Sequence, residues 1–172
     1  MNRKSLNQLL HSHHREAFIW SRQCCGFDSD LAKDVLQLTY LKILEGKATL
    51  NEASKAKTWL FSIIRYTAID ELRKAGKMIT WDENHELVDV PEEVDGTDYD
   101  AIIKLLPAMQ QQVILMVFYH QMTIEQSAEV LQIQLGTART HYARGKKKLK
   151  ELILKSQTEA NHGKRRTDRK LL

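Results

Sequence analysis

The chain has 172 residues, enough for one large domain or two small ones. Its 26 Lys and Arg against 22 Asp and Glu leave a net charge of +4, and with only 7 Gly and 2 Pro, long helices meet few breaks. No apolar run reaches the roughly 20 residues that span a bilayer, and the polar start MNRKSLNQ lacks the apolar core of a signal peptide; a cytoplasmic protein without membrane insertion is expected.

Helical periodicity begins at Leu6, Leu9 and Leu10 and runs through Ala17, Phe18 and Trp20 towards Gly26. Asp28 or Ser29 can cap a second helix that carries Leu31, Val35, Leu36, Tyr40, Ile43 and Leu44 inward and ends at Gly46. Asp34, Gln37, Leu38 and Leu41 are left to be sorted by context. After a polar loop at 47–54, a third helix from about Lys55 to Ala75 turns Trp59, Leu60, Ile63, Ile64, Ala68, Ile69 and Leu72 inward and Lys57, Arg65, Arg73 and Lys74 outward. Residues 78–98 break the pattern: they are acidic, hold Pro91 and Gly96, and read as a flexible linker in which Trp81 is the one large apolar group.

Periodicity returns at Tyr99 with Ile102, Ile103, Leu105 and Leu106. Pro107 opens the next helix, which Val113, Ile114, Met116 and Val117 carry to His120. From Met122 to Leu149 the chain reads as a short apolar-faced helix, a break and N-cap at Gly136 and Thr137, and a second helix with a basic exposed side, the pattern of a helix-turn-helix. Beyond about Leu154 the basic tail lacks periodicity and is expected to be disordered. The expected fold is all-α, with one helical domain at 1–77, an acidic linker at 78–98, a four-helix domain with the helix-turn-helix at 99–155, and a basic tail at 156–172.

Charge follows these divisions. Residues 1–77 hold 13 Lys and Arg against 8 Asp and Glu, 78–98 hold none against 8, and 99–172 hold 13 against 6, so the parts carry +5, −8 and +7. Two basic ends joined by an acidic strap point to a polyanionic partner for each end. In the last helix Arg139, Thr140, Ala143 and Arg144 share a face. Arg takes a guanine edge bidentately, Thr serves base or phosphate, and Ala meets a thymine methyl. Lys146, Lys147, Lys148 and Lys150 suit phosphates. The third helix mixes Trp59, Phe61 and Tyr66 with Lys55, Lys57, Arg65, Arg73 and Lys74, a combination suited to single-stranded DNA; Tyr66, on the polar side, is the better stacking candidate.

Catalysis finds no support: there is no Gly-rich phosphate loop, nucleophile elbow or carboxylate pair set against a His. Asp70 and Glu71 read as partners of Lys74. Adjacent Cys24 and Cys25 read as a small apolar pair, and His11, His13 and His14 as a solvated helix face, so no metal or cofactor is expected.

These segments resemble a known family. DSDLAKDVLQLTYLKIL is similar to the second region of bacterial RNA polymerase sigma factors of the group-four, extracytoplasmic-function (ECF) type, and KTWLFSIIRYTAIDELRK to the adjoining segment that melts and reads the −10 element. LLPAMQQQVILMVFYHQMTIEQSAEVLQIQLGTARTHYARGKKKL resembles the fourth region, which binds the polymerase flap and reads the −35 element. The resemblance implies a non-enzymatic protein that binds core RNA polymerase through its β′ clamp and β flap, recognises both promoter elements and melts the −10 region. By position it implies clamp contacts at Asp34, Gln37, Leu38 and Leu41. It implies −10 contacts at Ser54, Lys55, Lys57, Arg65, Tyr66, Asp70, Arg73 and Lys74, with Ser54 and Lys55 in a loop that captures a flipped base. It implies −35 contacts at Thr137, Arg139, Thr140, Ala143, Arg144 and Lys147. An anti-sigma factor that holds the protein inactive is implied as a further partner. The chain departs from the family pattern at Leu38, Tyr66, Gln132 and His141, where Glu, Asn, Gly and Arg are usual. The alternative is a LuxR-type helix-turn-helix regulator, whose DNA-binding helix GTARTHYARGKKKL also resembles, although 1–98 show no alternating sensing domain.

Overall fold

A computed structural model describes residues 3–50, 55–77 and 99–168, with side chains described as far as Glu159. The expected linker at 78–98, with Trp81, lies outside the described residues, as does Ser54. Every regular element among the described residues is helical.

The first half is three helices: α1 (Arg3–Cys24), α2 (Ser29–Leu44) and α3 (Ala56–Lys74). Asp28 caps α2, its Oδ1 accepting the N–H groups of Asp30 and Leu31 at 3.0 Å each, and these bonds lower the Asp28 pKa. Gly46 and Gly76 end α2 and α3 in the same way, at φ of 74° and 67°. Lys47 N–H reaches Lys42 O and Lys77 N–H reaches Leu72 O, while each glycine N–H bonds one residue further along, a pairing that closes the last open carbonyls. Trp20 is the centre of this half: fully buried, it stacks on Phe61 at 5.4 Å and donates through Nε1 to Phe61 O at 3.1 Å, fixing α1 to α3. Ser21 Oγ donates to Ala32 O at 2.9 Å and ties α1 to α2.

The second half begins with α4 (Tyr99–Lys104) and α5 (Ala108–Ile114). A π-helical turn then spans Leu115–Tyr119, with His120 N–H bonded back to Leu115 O. The single wide turn interrupts the helix that periodicity carries to His120, and it leaves Phe118 and Tyr119 exposed but His120 buried. Helix α6 (Ile124–Leu131) starts in a full capping box: Thr123 Oγ1 accepts the Gln126 N–H and Gln126 Oε1 accepts the Thr123 N–H. Such a cap contributes about 1 kcal/mol. Gln132, at φ 55°, makes the turn into α7 (Leu135–Asp168).

Two sequence expectations change here. The helix-turn-helix break is at Gln132, not at Gly136 and Thr137, which lie in the first turn of α7. Nor does the chain lose order at 156: α7 runs on to Asp168. The Lys, Arg, Glu, Gln and Ala content of this extension and its lack of proline favour helix, although its apolar spacing gives no sign of one.

Helices α5, α6 and α7 pack on one another, and Gly145 lets α5 approach α7: a Cβ there would lie 2.9 Å from Ile114 Cγ1. The halves also touch, with α3 packed on α6.

Candidate polymerase and nucleic-acid interfaces

On α2, Asp34, Gln37 and Leu41 are exposed and Leu38 is half-buried, spaced by three and four so that they form one face. Leu41 is 51% exposed. Leu44, expected to point inward, is 43% exposed and continues that apolar face by one turn. Its spacing of three from Leu41 is the signal that could have placed it there.

The residues expected to meet the −10 strand divide into two groups. Tyr66 is 38% exposed, and Asp70, Arg73 and Lys74 follow it on the open side of α3, with Lys55 exposed at its start. Lys42 Nζ lies 3.7 Å from Asp70 Oδ2 and donates to Thr67 Oγ1 at 3.2 Å, holding that carboxylate in place. Lys74 pairs with Glu71 at 2.8 Å, and that hydrogen bond raises its pKa. Trp59, half-buried, donates through Nε1 to Thr49 O.

Lys57 and Arg65 lie elsewhere. Two turns apart with Phe61 between them, they face the second half of the chain. Arg65 is only 6% exposed, contrary to its expected outward position, and its Nε donates to Gln112 Oε1 on α5 at 3.1 Å. Burial lowers its pKa. Lys57 Nζ meets Glu16 Oε2 at 2.7 Å and donates to His120 O at 2.7 Å. The bond from Lys57 is the main cause of a lowered Glu16 pKa.

The face of α7 is as expected in composition. Arg139, Thr140, Ala143, Arg144 and Lys147 are exposed on one side, with Thr137 half-buried at its start. Arg139 Nη2 lies 3.5 Å from Glu125 Oε1 on α6, so this exposed face carries one carboxylate at its edge. Ala138 and His141 are buried against the rest of the domain. Further along α7, Leu149, Ile153 and Leu154, with Phe118 of the π-turn, line an open apolar groove bordered by Lys146 and Lys150. Phe118, 59% exposed, stacks on Tyr142. Sequence reading missed this groove because the π-turn sets which residues of 115–120 face out.

One half thus exposes a basic helix face, and the other a helix with an exposed tyrosine and cations. The sequence profile described as Sigma-70 region 2 matches residues 9–78, and that described as Sigma-70, region 4 matches 97–149. The chain belongs to the ECF sigma factors. Among curated relatives, the RNA polymerase sigma factor SigV of Bacillus subtilis is 28% identical over 131 residues, covering 74% of this chain and 79% of SigV. The ECF RNA polymerase sigma factor SigX of the same organism is 27% identical over 141 residues, covering 72% of this chain and 71% of SigX. The fold is shared with the sigma factor RpoE of Bartonella quintana, solved with the anti-sigma factor NepR, at a TM-score of 0.70 and 22% identity over 87% of this chain and 97% of that one. It is shared also with CnrH, solved with the cytosolic domain of CnrY, at 0.63 and 18% over 88% and 89%.

An ECF sigma factor binds core RNA polymerase and promoter DNA and directs where transcription starts. The order of the two regions in one chain does not favour the LuxR-type alternative. Among the described residues no helix is long and apolar enough to cross a membrane.

Proposed function

We propose that the residues grouped above divide the work of a sigma factor as follows. The α2 face of Asp34, Gln37, Leu38 and Leu41, extended by Leu44, docks on the β′ clamp. The groove lined by Phe118, Leu149, Ile153 and Leu154 takes an apolar helix of the β flap. Arg139, Thr140, Ala143 and Arg144 read base edges of the −35 element from the major groove, with Thr137 and Lys147 on flanking phosphates. On α3, Tyr66 offers a stacking surface to the −10 strand, Asp70 a hydrogen-bond acceptor, and Lys55, Lys57, Arg65, Arg73 and Lys74 positive charge. Ser54 with Lys55 supports the pocket for a flipped base. Extruding a base costs a few kcal/mol, which aromatic and cationic groups beside it offset. The protein performs no chemistry of its own and works in the cytoplasm. As RpoE was solved with the anti-sigma factor NepR and CnrH with the cytosolic domain of CnrY, a protein partner that covers these faces is part of the proposal.

The single observation that supports this best is the uninterrupted exposed face Arg139–Lys147 on a helix fixed by its buried side. Run-off transcription with purified core enzyme on genomic promoter fragments tests it. Specific initiation that depends on this chain is expected. Binding to duplex DNA without any initiation would sink the proposal.

A further inference from the structure

From Leu135 to Lys150, α7 holds no acidic residue, yet a carboxylate stands at the start of its exposed face. Glu125, the second residue of α6, sets Oε1 3.5 Å from Nη2 of Arg139, across the turn that folds α7 onto α6. The two side chains are 60% and 63% exposed, and an ion pair so open to water adds little to stability. For affinity alone the carboxylate is out of place: a negative charge beside Arg139, Arg144 and Lys147 opposes the approach of phosphates. We propose that Glu125 is a specificity-determining residue of the −35 grip. It holds the Arg139 guanidinium by one edge, turns the rest of the fork to a guanine and keeps it off the phosphates. The inference rests on the reading of Arg139 as a base contact and deepens it by one residue, on a different helix.

The carboxylate has a fixed seat. Thr123 and Gln126 close the capping box on either side of it and so define the first turn of α6. A helix start favours negative charge, and the Glu125 pKa is lowered, first by its own backbone N–H and further by Thr123 and Arg139, so the group is ionised at neutral pH. Arg139 rises from the second turn of α7, which the buried Ala138 and His141 seat against the rest of the domain. An arginine side chain is long, and ordering it on DNA costs rotamer entropy. A neighbour that already holds Nη2 removes part of that cost. It takes one of the five N–H groups, and those that remain still include a parallel pair for O6 and N7 of guanine. A phosphate in the same place meets the charge of Glu125, whereas a guanine edge carries none. Specificity is a difference of affinities, and a repulsive element sharpens it as an attractive one does.

The test uses the full chain as holoenzyme on −35 sequences altered one base at a time, at two salt concentrations. It compares the unsubstituted protein with Glu125→Gln, Glu125→Asp, Arg139→Ala and the double variant Glu125→Gln/Arg139→Ala. Glu125→Gln should raise affinity several-fold on sequences that lack the favoured base, and narrow their gap to the favoured sequence by about as much. Glu125→Asp keeps the charge but falls short of Arg139 by one methylene, so it should lose the preference without the gain in affinity. Where Arg139 is already alanine, Glu125→Gln should change affinity and leave preference alone. Unfolding midpoints of the exposed Glu125 variants should match that of the unsubstituted chain. Preference unaltered by Glu125→Gln would overturn the proposal. So would a loss of preference that persists without Arg139, which would make Glu125 a base contact itself, and so would an even loss at every position with a lowered midpoint. Arg139→Ala reads the underlying assignment separately: if it leaves every base preference intact, the base-contact reading fails along with the proposal. A preference lost in Arg139→Ala but kept in Glu125→Gln removes the proposal alone.

Discussion

Arg65 Nε donates a 3.1 Å hydrogen bond to Oε1 of Gln112, 47 residues away, and both side chains are buried. A guanidinium removed from water loses more when a partner is deleted than it gains when one is present. Gln112→Ala should therefore lower stability by about 1–3 kcal/mol, the cost of a buried charged donor stripped of an acceptor. Thermal or urea unfolding measures it; a midpoint equal to that of the unsubstituted chain would show that the bond carries no weight.

On the proposed reading, the α7 face separates bases from phosphates. Arg139→Ala and Arg144→Ala should each cost about 1–3 kcal/mol at one promoter position and relax the preference there. Lys147→Ala should weaken binding evenly on all sequences and reduce the salt slope by about one. Holoenzyme binding to a panel of −35 variants at two salt concentrations distinguishes them. An even loss for Arg139→Ala across the panel would reassign it to the backbone.

Acid should open the interface between the halves before the helices melt. His120 has its pKa lowered from 6.5 to about 4, chiefly by burial, with Lys57 adding to the effect and Glu16 opposing it; the other groups around it, Gln23, Trp20 and Phe61, are uncharged. Once exposed, the imidazole takes up a proton near pH 6.5, so the buried neutral form is favoured above that value. Its contribution is lost as pH falls from about 6.5 to about 4 and changes no further below. The full effect is on the order of 3 kcal/mol against the closed form. Energy transfer between the halves should drop across that window while far-ultraviolet circular dichroism is retained, and His120→Asn should remove the dependence. A parallel pH profile in that variant would place the titration in another group.

What could be read from the sequence follows from what each signal measures. The Arg139–Lys147 face was legible because amphipathic spacing reports which side of a helix meets water; Asp34, Gln37 and Leu41 were singled out only by the resemblance, since spacing left them to context. The position of Arg65 was not legible. Its burial comes from α5 and α6, distant in sequence, and a lone cation on a helix gives no sign of a neighbour that will cover it. Leu44 is the opposite case, an apolar residue at an inward spacing that is left 43% exposed among the described residues. The turn at 132–134 was misplaced because Gly136 and Thr137 have the composition of a break, whereas Gln132 adopts the left-handed conformation without the glycine that usually marks it. The π-turn at 115–119 leaves no compositional trace, yet it decides that His120 points inward and Phe118 outward.

Gly145 and Gly136 should respond in opposite ways to the same substitution. Both lie in α7, where glycine costs about 1 kcal/mol relative to alanine. At Gly136 a Cβ meets nothing within 4 Å, so Gly136→Ala should raise stability by about 0.5–1 kcal/mol. At Gly145 the new methyl would sit 2.9 Å from Ile114 Cγ1 and 3.3 Å from Gln110 Cβ, between two packed helices. Overpacking of this kind costs about 1–3 kcal/mol, more than the helix preference returns, so Gly145→Ala should be destabilising on balance. It should also push α5 from α7 and disturb the Phe118–Leu149 groove, which those elements line. Unfolding midpoints for the two variants, measured side by side, decide the matter. A stabilised Gly145→Ala would mean that α5 yields at Ile114 without cost, and that close approach there does not fix the position of α7.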